Sequence, residues 1–192
     1  MPSNRNGVVY GITGGSGVGK SYVTGLFKPY NAYIIDADKI GHEVLSQEMD
    51  AIKRAFGADI VDENNNVNRK KLGGIVFSDP SELKRLNAIV HPKIVEKIYR
   101  AVAMRIAEYD VVIIDAALLF DLQINHVCDQ TILVTANEDT KIERIVARDG
   151  ITPEAALARI QSQRNDEDLK KLADIVIEND NNFNRDVNEK IY

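Results

Sequence analysis

The sequence has one cysteine, Cys128, so no disulfide can form within the chain and a fold stapled by bridges is excluded. Histidine is scarce as well. Cys128, His42 and His126 form no cluster with metal-ligand spacing, and no nucleophile stands beside a histidine, so none of the three is a catalytic candidate. Long hydrophobic runs are also missing: the apolar stretches last only a few residues, far short of the roughly 20 that cross a bilayer, and the N-terminus lacks the apolar centre of a signal peptide. Positive charge is in deficit. With 24 Lys and Arg against 29 Asp and Glu, the net charge is −5, and the chain has no global attraction for nucleic acid or for an anionic membrane. These absences set the expectations of a cytoplasmic, reducing setting, no nucleic-acid partner and no membrane partner.

What is present fits one α/β domain with an insertion. Of the 192 residues, 44% are hydrophobic and 28% charged, enough to build a sizeable core. Strand-like runs recur at 8–12, 32–36 (AYIID), 110–115 (DVVIID), 130–135 (QTILVT) and 173–179 (ADIVIEN), separated by helical stretches. Short apolar runs without in–out alternation suit buried strands, so the expected architecture is a doubly wound parallel sheet covered on both faces. The interval from about 39 to 109 is too long for one crossover helix and predicts a helical subdomain. Within it, DENNNVN at 62–68 is a polar turn. DPSE at 79–82 starts a helix, with Asp79 as cap, Pro80 at the first helical position and Glu82 completing a capping box. Pro92 is expected to kink or break that helix near His91. A second helix covers 152–164, capped by Thr152, and NNFNRDVNEKIY at 181–192 reads as a short C-terminal helix. There is no internal repeat and no low-complexity linker.

The first run leads into TGGSGVGKS at 13–21, in which Gly14, four intervening residues, Gly19, Lys20 and Ser21 match the spacing G-x-x-x-x-G-K-[ST] of a phosphate-binding P-loop. Its strand–loop–helix setting is the one this motif needs. Small residues let successive N–H groups turn inward around a phosphate, Lys20 can reach the β- and γ-phosphates, and the Ser21 hydroxyl can meet Mg²⁺. In a doubly wound sheet ligands sit at the carboxyl ends of the strands, and Asp36, Asp38 and Asp115 stand there. A carboxylate so placed can hold Mg²⁺ directly or through water, and another can orient an acceptor hydroxyl and take its proton. Asp36 is open to a second reading as a helix cap, since DADKIGHEVL also starts a helix. Asp38, displaced by two residues, is the better acceptor-side candidate, and Asp115 the water-mediated partner of the metal. Arg144 and Arg148 lie four apart, on one face of a helix, where guanidinium groups could clamp phosphoryl oxygens or merely form a solvated charged surface. The loop alone would equally serve a nucleotide switch or another small-molecule kinase, although the N-K-x-D guanine motif of GTPases is absent.

Taken in order, TGGSGVGKS at 13–21, DADKIGHEV at 36–44, RKKLGGIVFSD at 69–79, LNAIVHP at 86–92 and DAALLFD at 115–121 resemble the motifs of dephospho-coenzyme A kinases. ERIVARDGITPEAALARIQSQ at 143–163 and ADIVIEND at 173–180 resemble that family's lid and last strand, so the likeness spans about residues 8 to 180. The resemblance implies a P-loop kinase that moves the γ-phosphate of ATP, with Mg²⁺, to the 3′-hydroxyl of the ribose of dephospho-coenzyme A, its small-molecule substrate. It implies a nucleotide-binding core over 7–38, 106–142 and 166–192, a helical acceptor subdomain over 39–105 and a lid over 143–165. The nucleotide contacts it implies are Gly15, Ser16, Gly17, Val18, Gly19, Lys20, Ser21 and Tyr22, with Asn179 near the adenine. Catalysis falls to Asp38 as base, with Lys20, Arg144 and Arg148. The acceptor side receives Thr13, Asp38, His42, Arg69, Asn87, His91 and Leu118, and the metal Ser21 and Asp115. Two departures are visible. Ala116 and Ala117 follow Asp115 where many members carry a proline, and Tyr22 follows the loop serine where a small hydroxyl residue is common.

Overall fold

The computed structural model describes residues 7–64 and 66–180, so the helix expected over 181–192 lies outside the described residues. Five strands form one sheet: β1 (Val8–Thr13), β2 (Ala32–Asp36), β3 (Val111–Asp115), β4 (Gln130–Thr135) and β5 (Ile175–Glu178). Their order is β2-β3-β1-β4-β5, and the pairs β1·β3, β1·β4 and β4·β5 are parallel. All five were legible as β-branched runs. Register places Ile12 opposite Asp115 on one side of β1 and Thr13 opposite Leu133 on the other. Because successive strands lie to opposite sides of β1, its carboxyl end sits at the point where the strand order reverses, the usual place for a ligand in such sheets.

The chain divides into two compact units, one formed by residues Asp36–Ala101 and the other by the chain on either side of them. In the sheet-bearing unit, Ile12, Ile113, Ile132 and Val134 pack with Val23 and Phe27 of α1 (Lys20–Gly25) and the turn after it, and with Val18 of the glycine-rich loop, which is fully buried. An apolar peg thus anchors a loop that otherwise has little side chain to hold it. The same unit carries α6 (Glu138–Asp149), α7 (Pro153–Gln161) and α8 (Asp166–Lys170). Thr152 caps α7 as its sequence predicts, accepting from Ala155 N at 3.3 Å, and Gly150, at φ 65°, ends α6 in the left-handed conformation that glycine adopts without strain.

The helical unit contains α2 (Ala37–Gln47), α3 (Met49–Phe56), α4 (Arg69–Val76) and most of α5 (Pro80–Arg105). The polar turn falls where expected, with Asp62 Oδ1 accepting from Asn64 N at 2.9 Å and Asn66 N at 2.8 Å between bridged Val61 and Val67. The expected break at Pro92 does not occur: α5 runs unbroken through it for 26 residues. Proline removes one rung of the helical ladder. Against that local loss, Leu86, Val90, Ile94, Ile98 and Val102 recur every four residues and are all buried, so the gain along one helical face outweighs it.

Two aspartates finish the sheet at its amino ends. Val9 N donates to Asp129 Oδ2 at 2.8 Å, while Asp174 Oδ2 accepts from both Thr131 N at 2.7 Å and Thr131 Oγ1 at 2.6 Å, which pins β5 to β4. These bonds hold the Asp174 carboxyl below the usual aspartate range. A folded-state pKa lowered in this way contributes stability that is present above the unfolded value, near 3.8, and is lost as the pH falls through the lower folded value. The side chain lies at the surface, so Asp174→Asn should cost only about 1 kcal/mol at pH 7, roughly 2–4 °C in Tm for a chain of this size. Thermal melts of both proteins should converge as the pH falls through the lowered folded value, where the wild-type carboxyl is itself protonated.

Candidate active site

Gly17 and Gly19 of the loop admit no other residue. Gly17 and Gly19 take φ of 79° and 78°, and a Cβ would lie 2.6 Å from the Lys141 carbonyl at Gly17 and 2.3 Å from Asn179 Nδ2 at Gly19. The close packing reflects what holds the loop from behind. Arg144 Nη1 donates to the carbonyls of Gly17 and Val18, each at 3.3 Å, and of Asn179 at 2.9 Å, while Asn179 Nδ2 donates to Val18 O at 2.8 Å. With those carbonyls engaged, the N–H groups of Gly17, Val18, Gly19, Lys20 and Ser21 meet no protein acceptor among the described residues. A row of unclaimed backbone donors is the chemistry that binds a phosphate.

Lys20 Nζ pairs with Asp115, and Thr24 Oγ1 donates to the second oxygen of that carboxylate at 3.2 Å. Both members of the pair are only 15% exposed, so their charges compensate each other largely out of water. Ser21 and Tyr22, at the start of α1, are exposed. Thr13, at the end of β1, is fully buried and its hydroxyl donates to Ala117 O at 3.1 Å, while Leu118, just beyond, is 49% exposed.

The two arginines of α6 do different things. Arg144 turns to the loop, whereas Arg148 makes a two-pronged bond to Asp149 at 2.7 and 2.9 Å, and Arg159 of α7 pairs with the same carboxylate. Chiefly through the Arg148 bond, the Asp149 carboxyl is drawn down to about 2, so it stays charged throughout the neutral range. Lys141 of α6 is buried and pairs with Asp166, the first residue of α8. Cys128 is packing, as its isolation predicts: Gly11 lies against its sulfur, and burial pushes the thiol up to about 12.

One contact escaped the sequence entirely. Gln163, between α7 and α8, accepts from Ser16 N at 2.8 Å through Oε1 and donates to Ser16 Oγ at 2.9 Å through Nε2. Its partner is 147 residues away, and neither periodicity nor motif spacing reports a contact at that separation. Gln163 and Ser16 border a cleft of about 370 Å³ that also includes Gly15, Lys141, Arg164 and Asp166.

In the helical unit, the two readings of Asp36 resolve: its carboxylate caps α2, accepting from Lys39 N at 2.9 Å. Asp38, in the first turn of the same helix, is exposed and has no hydrogen-bond or ion-pair partner among the described residues. His42 is one turn further along the same face, also exposed. Arg69 opens α4 and is exposed, while Asn87 and His91, one turn apart on α5, are half-buried. The loop, Lys20, Asp115, Arg144 and Asn179 are thus brought together in the sheet-bearing unit, and Asp38, His42, Arg69, Asn87 and His91 are placed on the helical one.

Known proteins are similar to this chain over most of its length. A family model described as dephospho-CoA kinase matches residues 8–185. A dephospho-CoA kinase of Bacillus cereus is 38% identical over 177 residues, covering 90% of this chain and 88% of its own. Among solved structures, TT1252 from Thermus thermophilus superposes with a TM-score of 0.80 at 31% identity, covering 91% of this chain and 89% of its own. The dephospho-CoA kinase from Campylobacter jejuni superposes with a TM-score of 0.61 at 27% identity, covering 92% and 90%. The match begins at β1 and takes in the loop, the helical unit and both arginine-bearing helices, and the chain belongs to the dephospho-CoA kinase family.

Proposed function

We propose that this protein is a kinase that transfers the γ-phosphate of ATP to the 3′-hydroxyl of the ribose of dephospho-coenzyme A, giving coenzyme A and ADP. The observation that carries the reading is the family match over residues 8–185, which takes in both the unclaimed N–H groups from Gly17 to Ser21 and the unpartnered carboxylate of Asp38. The loop donors bind the triphosphate, and Lys20 exchanges its carboxylate partner for phosphate oxygens. Asp38 orients the ribose hydroxyl and takes its proton as the phosphorus–oxygen bond forms. Arg148 supplies a guanidinium for charge that spreads over the transferred group, and Arg144 serves the same step by fixing the loop on which the triphosphate rests. His42, Arg69, Asn87, His91 and Leu118 are the acceptor-side candidates. Thr13 is assigned to the shape of that side through its bond to Ala117, and Tyr22 and Asn179 to the nucleotide side.

Mg²⁺ favours oxygen donors, keeps several of its waters and relies on substrate phosphates for the rest of its coordination. The Ser21 hydroxyl and the Asp115 carboxylate fit that demand. Among the described residues no three His, Cys, Asp or Glu gather into a cage, and phosphate oxygens and waters would supply the remaining donors. When bound, the cation neutralises charge on the β- and γ-phosphates; Asp115 would hold it directly or through water once Lys20 has turned to the nucleotide.

A coupled ADP assay should show turnover when dephospho-coenzyme A is supplied and only background with water, a nucleoside or a nucleoside monophosphate. ADP formed with one of those acceptors and not with dephospho-coenzyme A would replace this reading by another small-molecule kinase. Asp38→Asn should leave the Kd for ATP within about threefold and lower kcat by about 10²- to 10⁴-fold, measured by calorimetry and steady-state kinetics on the same preparation. Removing divalent cations with a chelator should abolish turnover, and added Mg²⁺ should restore it.

A further inference from the structure

Of the N–H groups from Ser16 to Ser21, that of Ser16 alone is taken by a protein acceptor among the described residues. The acceptor is the Gln163 amide, which also holds the Ser16 hydroxyl, closing a two-point ring that fixes both the peptide plane and the side-chain rotamer. Room for this approach comes from Gly15, where a Cβ would lie 2.8 Å from Gln163 Oε1. Gln163 is itself fixed. Its N–H donates to Ile160 O at 3.1 Å, in the turn that ends α7, and α7 is tied to α6 through Arg159 and Asp149. The first turn of the phosphate loop is therefore joined to the helix pair carrying Arg148 through one side chain.

We propose that Gln163 is a positioning residue for ATP: by holding Ser16 at the mouth of the loop it keeps the following five N–H groups converged on the triphosphate, and it retains that bond when nucleotide is bound. The inference rests on the reading of the loop as an ATP site. An amide suits the task because it satisfies one donor and one acceptor with no net charge, whereas a carboxylate of the same shape would set a negative charge beside the phosphates.

The test is ATP binding by calorimetry, with steady-state kinetics, for wild type, Gln163→Ala, Gln163→Glu, Ser16→Ala and the double variant Ser16→Ala/Gln163→Ala. Loss of a neutral two-point contact should raise the Kd and KM for ATP about five- to tenfold in Gln163→Ala, with kcat changed less than KM. The double variant should be no weaker than Gln163→Ala, because both substitutions break the same link. Gln163→Glu keeps an acceptor for Ser16 N–H and should melt near wild type, yet bind ATP at least about tenfold more weakly at low ionic strength, with the deficit shrinking as salt is added. Unchanged or tighter ATP binding in Gln163→Ala, additive losses in the double variant, or a salt-independent Gln163→Glu would each overturn the proposal. Should Gln163→Ala fail to fold, the Gln163→Glu salt series decides alone. A wild-type protein that binds and turns over ATP while Gln163→Ala matches it refutes only this inference; a wild type that binds no ATP refutes the proposed function and this inference with it.

Discussion

The site depends on which way a few peptide groups face. A peptide cannot present its N–H and its C=O to the same side, so donors gathered around a phosphate require carbonyls directed outward, and outward carbonyls in a folded chain need partners of their own. Arg144 and Asn179 provide those partners at Gly17 and Val18. The left-handed conformations of Gly17 and Gly19 are the backbone form of the same requirement, and the buried side chain of Val18 keeps the loop from rotating back. Were the peptides reversed, carbonyl dipoles would meet the phosphates with the wrong sign.

Charge imposes a second constraint. Before substrate arrives, a lysine placed to bind phosphate is a partly desolvated cation that needs an anion, and Asp115 supplies one. In the proposed reaction the lysine would be exchangeable: a triphosphate would offer Nζ an anion for the one it gives up, and the released carboxylate would become available to a divalent cation. The Thr24 hydroxyl lies 3.2 Å from the second oxygen of that carboxylate and 3.0 Å from the Lys20 carbonyl, so it can donate to either. One half-buried pair thus holds two groups of the proposed site in place.

Much of this was legible in the sequence because it is local. All five strands, the turn at Asp62, the caps at Asp36 and Thr152 and the loop spacing are set by residues within a few positions of one another, and short-range chemistry announces itself in short stretches. A break expected at Pro92 does not form. The local penalty was visible, whereas the burial of Leu86, Val90, Ile94 and Ile98 that overrides it is a tertiary fact. Several long-range contacts were not legible. Gln163 on Ser16, Lys141 on Asp166 and Asn179 on Val18 join positions whose proximity only the folded sheet creates. Arg144 and Arg148, paired by spacing alone, part company for the same reason: one finds carbonyls within reach and the other a carboxylate.

That parting bears on how a guanidinium can be both ordered and available. Arg148 is 61% exposed, and a long side chain in water would sample many rotamers and lose entropy on meeting a phosphate. Its two-pronged bond to Asp149 restricts that freedom in advance. The carboxylate cannot neutralise the arrangement, because Arg159 shares it, leaving two cations around one anion and a net positive charge at the end of α6. With its pKa lowered to about 2, Asp149 does not let go by protonation at any pH where the protein works. In the proposed transfer, a phosphoryl group with more charge spread over more oxygens would compete with Asp149 for the Arg148 guanidinium.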